Sequence, residues 1–174
     1  MSEYKFSFSP IKSRKELYSA IEYLHISCHK LCKKVFGKYL LVAGNLGIFS
    51  HFDEEFEFLI NLRQEITDDN KNWNKKYYFL HEPIIIPAIN DIPSATYTYL
   101  YIRRPDKNKP EVGDIDFILN KQIFKKFKEV SVQNYIFNGV EIFYRPDLDM
   151  LKLSNPNYDV LPYITTTTME QKDI

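Results

Sequence analysis

The sequence predicts an α+β domain: two N-terminal helices and a third short helix packed on a mostly antiparallel sheet of about 6–7 strands. Three observations lead there. Apolar residues recur at helical spacing in two long segments before residue 67. From Tyr77 onward the chain turns to short alternating runs separated by Gly, Pro, Asn and Asp. No internal repeat and no Gly/Ser-rich linker divides the 174 residues, so residues 1–164 read as one domain with one core.

The elements follow in order. Residues 1–12 form an extended arm, with KFSFS alternating like an edge strand. Ser13-Arg14-Lys15-Glu16 is a capping box, in which the serine accepts from an early backbone N–H and the glutamate reaches back. The helix it opens runs to about Phe36, and Gly37 is its stop. Leu17, Ile21, Leu24, Cys28, Leu31 and Val35 make its buried stripe, and Lys30, Lys33 and Lys34 suit the negative end of its dipole. Tyr39–Ala43 reads as a buried strand, Gly44-Asn45-Leu46-Gly47 as a turn, and Ile48–His51 as the next extended piece. Asp53 caps a second helix, with acids in its first turn and Phe56, Leu59, Ile60 and Leu62 inward, ending near Ile66. Thr67–Lys76 is a polar loop carrying the only tryptophan.

Strands are predicted over Tyr77–Leu80, ended by Pro83, then over Thr96–Arg103 and Asp114–Leu119. A basic amphipathic helix follows over Lys121–Val130, capped by Asn120, with Ile123, Phe124 and Phe127 inward. Val140–Tyr144 and Met150–Leu153 close the sheet, and residues 165–174 read as a disordered tail.

Composition narrows the function. Lys+Arg and Asp+Glu both number 23, so no basic excess favours nucleic acid. No run approaches the roughly 18 apolar residues of a membrane span, and the N-terminus has no signal-peptide core. Two cysteines, four apart, make no disulfide framework; the expected location is the cytoplasm. The tyrosine-rich, neutral composition is compatible with a small-molecule or protein ligand and with a homodimer.

Chemistry-bearing residues gather in a few places. In VGDIDFIL, Asp114 and Asp116 point the same way from one strand, opposite Ile115 and Phe117. Two carboxylates so placed suit a hard cation, magnesium or manganese. The bland reading is a solvated face, or an ion pair with Arg103 or Arg104. If their strand pairs with Thr96–Arg103, the aspartates share a face with Tyr97, Tyr99, Tyr101 and Arg103. No Gly-Ser pair precedes the aspartates to open a phosphate-receiving helix. His51 and His81, each at a strand end and followed by acids, have the side chain best matched to proton transfer near neutral pH. His25, Cys28, His29 and Cys32 share helical spacing, but one straight helix cannot close a zinc tetrahedron; His25 with His29 is the better pair. The leading expectation is a metal-assisted hydrolase or phosphotransfer enzyme: Asp114 and Asp116 hold the ion, His51 or His81 is the base, and Arg103 stabilises an anion. A non-catalytic binding module and single-stranded nucleic-acid binding through the tyrosine stripe are the alternatives.

Overall fold

The computed structural model describes residues 6–37, 42–69, 76–131 and 135–167. Helix α1 (Arg14–Phe36) opens as a capping box: the Glu16 N–H donates to Ser13 Oγ at 3.2 Å, and the Glu16 carboxylate accepts the Lys12 N–H at 2.7 Å. Gly37, at φ 60°, ends it by donating to the Lys33 carbonyl. Helix α2 (Asp53–Ile66) and helix α3 (Lys121–Val130) complete the helical layer, and Asn120 caps α3 through the Gln122 N–H.

The strands are β1 (Val42–Phe49), β2 (Tyr78–Ile86), β3 (Ala95–Arg103), β4 (Gly113–Ile118), β5 (Tyr135–Phe137), β6 (Val140–Arg145), β7 (Met150–Ser154) and β8 (Val160–Thr165). They form one eight-stranded sheet in the order β2-β3-β1-β4-β8-β7-β6-β5. The pairs β1–β3 and β4–β8 are parallel and the other five are antiparallel. The α+β arrangement is therefore as expected, with a slightly larger sheet.

All three helices lie against one face. His29 of α1 meets the Phe117 ring edge-on at 4.9 Å. Arg63 of α2 stacks on Tyr78, which is in register with Leu100, Leu46 and Ile115 on that same face. Phe127 of α3 packs on Phe36 of α1 at 4.7 Å. Leu17, Leu24, Leu31, Leu59 and Phe124 of the helices join Leu46, Leu100, Ile115, Phe117, Leu151 and Ile164 of the sheet in one buried cluster. At about 25 cal/mol per Å², this burial is the main favourable term in folding.

Four local expectations are corrected. Residues 6–12 form no strand. Gly44-Asn45-Leu46-Gly47 is not a turn but the middle of β1, with a register shift between Ala43 and Leu46. The glycines serve close approach of β4: a Cβ on Gly44 would lie 3.1 Å from the Asp116 carbonyl oxygen. Pro83 does not end β2, because β2 is an edge strand, where a missing N–H costs no ladder bond. β5 and β8 were not anticipated. β8 hides its strand character behind Pro162, and its ladder to β7 is registered only at Leu151↔Ile164 and Lys152↔Tyr163. The Trp73 loop tip and the final residues of the expected tail, 168–174, lie outside the described residues.

Candidate functional site

The face of the sheet turned away from the helices carries the acidic pair. Strand parity puts Asp114 and Asp116 there because Ile115 and Phe117 go to the core, both 0% exposed. The pairing differs from the sequence expectation in one respect: β3 and β4 are not neighbours, since β1 lies between them. Gly47 of β1 is in register with Tyr101 on one side and Asp114 on the other, and Leu161 continues that row. Asp116, Tyr163, Lys152 and Phe143 form the next row.

Gly47 makes room for the acid. A Cβ there would sit 2.5 Å from Asp114 Oδ1 and 3.1 Å from Tyr101 Cδ1. Among the described residues, Asp114 Oδ1 is shut away from water and makes no well-formed hydrogen bond, the Gly47 backbone being its nearest polar neighbour. Burial pushes the Asp114 carboxyl well above the usual range and the Asp116 charge adds to the shift, against a smaller pull from Arg103, Lys76 and the Gly47 backbone. Tyr77 Oη donates to Asp116 Oδ2 at 3.2 Å, and the Tyr77 ring lies 5.8 Å from that of Tyr101. Burial raises the Tyr77, Tyr101 and Tyr163 hydroxyls, and the charge of Asp114 acts on each. The result is two carboxyls among three tyrosine rings, a setting that disfavours a second negative charge and favours an arriving positive one.

Arg103 stands beside this site but has its own partners, Asp106 at 3.1 Å and the Phe49 ring at 4.7 Å. Arg104 lies over the Phe56 ring of α2. The structure does not bring the two histidines to the aspartates. His81 is exposed on β2 and pairs with Asp68 at 3.1 Å; three strand spacings, about 14 Å, separate β2 from β4. His51 lies past the end of β1, and Ser50 before it is already about 10 Å of extended chain from Gly47.

The remaining candidates are placed elsewhere. His25 is wholly buried, with Nδ1 2.8 Å from Tyr97 Oη and Nε2 3.1 Å from the Pro93 carbonyl oxygen, so both ring nitrogens are engaged. His29 Nε2 is buried and, among the described residues, makes no hydrogen bond, and burial, then His25, lowers that ring to about 4. Cys28 and Cys32 belong to the core, where burial raises both thiols. The tyrosine stripe is divided. Tyr97 faces α1 through His25, whereas Tyr101 is in the Gly47 row; the register of β2 against β3 shifts between Phe79 and Ile84. Lys125, Lys126 and Lys128 are on α3, in the helical layer, and give no basic path beside Tyr101. Among the described residues, no group of three His, Cys, Asp or Glu is placed to hold a metal, and no helix is long and apolar enough to cross a membrane.

Sequence reasoning missed Gly47 and Tyr77 as members of this site. Gly47 was legible only as a turn signal, and Tyr77 reaches the site from the segment leading into β2, which no spacing rule connects to β4.

No family model matches the chain, and no curated protein does. Among solved structures it is similar to one described as "Structural Genomics, Protein EC4020". The TM-score is 0.60 at 12% identity, over 94% of this chain and 93% of that one. That likeness carries the fold alone.

Proposed function

We propose that this chain is a binding protein that receives a positively charged group of a ligand or partner on Asp114 and Asp116. The observation that carries the reading is Asp114 Oδ1, buried above a glycine and, among the described residues, without a hydrogen-bond partner. A buried acceptor left unmade costs about 1–3 kcal/mol, which a bound donor recovers. The tyrosine rings of Tyr77, Tyr101 and Tyr163 favour a weakly hydrated organic cation, above all a guanidinium, which also forks onto carboxylates. A second reading keeps the expected magnesium or manganese, and with it metal-assisted hydrolysis or phosphotransfer. The same unpartnered oxygen supports it, since magnesium is often held by one or two carboxylates and its own waters. The separate positions of His51 and His81 weigh against a base from either histidine in that scheme.

Aspartate carboxyl carbons observed by NMR separate the readings. N-acetyl-arginine amide, magnesium chloride and manganese chloride are each titrated into wild type and Asp114→Asn/Asp116→Asn. Shifts of the Asp114 and Asp116 resonances with the arginine amide but not with magnesium support the organic-cation reading. Saturating shifts or line broadening with the metals alone support the second. No response to any of the three removes cation binding from this face.

A further inference from the structure

His51 has surroundings of its own, away from the aspartate face. Phe8, at φ 65°, makes a sharp turn that bulky residues rarely adopt, and it delivers Ser9. Ser9 Oγ lies 2.6 Å from His51 Nδ1. The imidazole is fixed by Phe6, stacked at 4.0 Å and 12°, and its backbone N–H is held by Glu55 Oε2 at 2.7 Å. The other carboxylate oxygen of Glu55 takes the Ile11 N–H, so one buried acid ties the arm and the histidine together. Nε2 of His51 is closed to water beside the backbone of Lys109 and Glu111, and Glu111 Oε2 is likewise buried and, among the described residues, without a hydrogen-bond partner. Next to them is a cavity of ≈ 930 Å³, walled by His51, Pro10, Ile11, Phe52, Phe58 and Pro105 among others. Phe52, the N-cap residue of α2 on that wall, gives the helix no side-chain cap.

We infer that Ser9 and His51 form a nucleophilic pair for acyl transfer, with Glu111 as a positioning residue and a short, neutral ester as the substrate the cavity receives. The geometry is that of a nucleophile within hydrogen-bond reach of a base whose ring is held by the Phe6 stack, with the charge of Glu111 acting on it. Neutral His51 accepts at Nδ1 and carries its proton on Nε2, toward the backbone of Lys109 and Glu111. Ser9 Oγ bonds to the ester carbonyl carbon as its proton passes to Nδ1, and the carbonyl π pair moves onto oxygen. In this scheme the backbone N–H groups at the start of α2, whose residues wall the cavity, take the oxyanion. Collapse breaks the bond to the alkoxide, which leaves with the proton from His51. Water, deprotonated by His51, then cleaves acyl-Ser9, releasing the acid and restoring the hydroxyl. The apolar walls suit an uncharged acyl chain, with Lys12 and Lys107 offset by Asp53 and Glu54 around it. This site stands independently of the aspartate face.

The test uses the intact chain, a fluorophosphonate probe and p-nitrophenyl butyrate. Ser9 should be the labelled residue, and Ser9→Ala should lose both labelling and turnover while remaining folded. His51→Gln should lower both by about 10²-fold or more. Glu111→Gln should shift the acid limb of the rate profile to lower pH, because Glu111 favours protonated His51; of the other groups facing or lining the site, Glu55, Lys12 and Lys107 are unchanged. The arginine-amide titration of the same wild-type preparation reads the aspartate face by itself, so failure here and failure of cation binding are separately visible. A natively folded wild type that takes no label and hydrolyses the ester no faster than Ser9→Ala overturns the inference, and the Ser9–His51 bond is then only a tie for the arm.

Discussion

Replacing Asp114 with asparagine should stabilise the fold at alkaline pH. Burial, then the neighbouring Asp116, raises the folded carboxyl above its unfolded value. Between those two values the folded state holds more protons than the unfolded one, so stability falls as pH rises through that window. Above the folded value the full penalty is present, and below the unfolded value, about 3.9, it is gone. Asparagine keeps the shape, removes the charge and can donate toward Asp116. The structural cost it addresses is the unmade acceptor Oδ1 plus the charge repulsion, about 1–3 kcal/mol. For a chain of this length each kcal/mol moves Tm by about 2–4 °C. The assay is thermal and urea unfolding of wild type and variant at pH 8 and pH 4, with the gain at pH 8 larger than at pH 4. A variant that melts below wild type at pH 8 refutes the reasoning. The carboxylate would then be a structural partner, and the cation-binding reading would lose its ground.

Other perturbations test neighbouring parts of the argument. His29, lowered to about 4 against 6.5 unfolded, contributes stability that is complete above pH 6.5 and is lost as pH falls toward 4. At about 1.4 kcal/mol per pH unit the whole shift is roughly 3 kcal/mol, and the half-buried ring reduces that to about 1–2 kcal/mol. His29→Phe should therefore flatten the urea midpoint between pH 6.5 and 4.5, and an unchanged slope counts against it. Gly47→Ala drives a Cβ onto a movable carboxylate, so a loss of about 1–3 kcal/mol with weakened arginine-amide binding is expected. Gly113→Ala puts its Cβ 2.1 Å from the Gly47 carbonyl oxygen, which is backbone and cannot yield. It should be the more damaging of the two in the same melts, and the reverse order would contradict the register of β1 on β4.

What the sequence disclosed, it disclosed through local physics. The Ser13 capping box, the Gly37 stop and the α3 span are set by backbone groups and side chains a few residues apart, and they were readable as such. The sidedness of Asp114 and Asp116 followed from a period of two against a buried Ile115 and Phe117. Long-range geometry was not readable. Gly44 and Gly47 carry the same local signal whether the chain turns or a neighbouring strand approaches, and only the partner strand decides. Pro162 lacks the N–H a central strand needs, and β8 holds it where the β7–β8 ladder registers only at Leu151↔Ile164 and Lys152↔Tyr163. Ser9 had no motif to announce it, because its partner is 42 residues away.

The two sites meet in the segment between β3 and β4. Pro105 and Lys107 wall the cavity, Glu111 acts on His51, and Asp114 follows three residues later. Such closeness in sequence would couple them if the segment moved as a unit. Val112 prevents that: its carbonyl accepts the Phe49 N–H at 2.9 Å, and its N–H donates to the Asp159 carbonyl at 2.7 Å. A residue bonded on both sides to strand-flanking backbone is a fixed point, with Glu111 and the cavity before it and the aspartate face after it. Groups separated by such a point and sharing no partner should perturb stability independently. The stability changes of Ser9→Ala and Asp114→Asn should therefore add within about 0.5 kcal/mol in the double variant. An interaction energy of 1 kcal/mol or more in that cycle would mean the segment transmits strain past Val112, and the two sites would have to be treated as one.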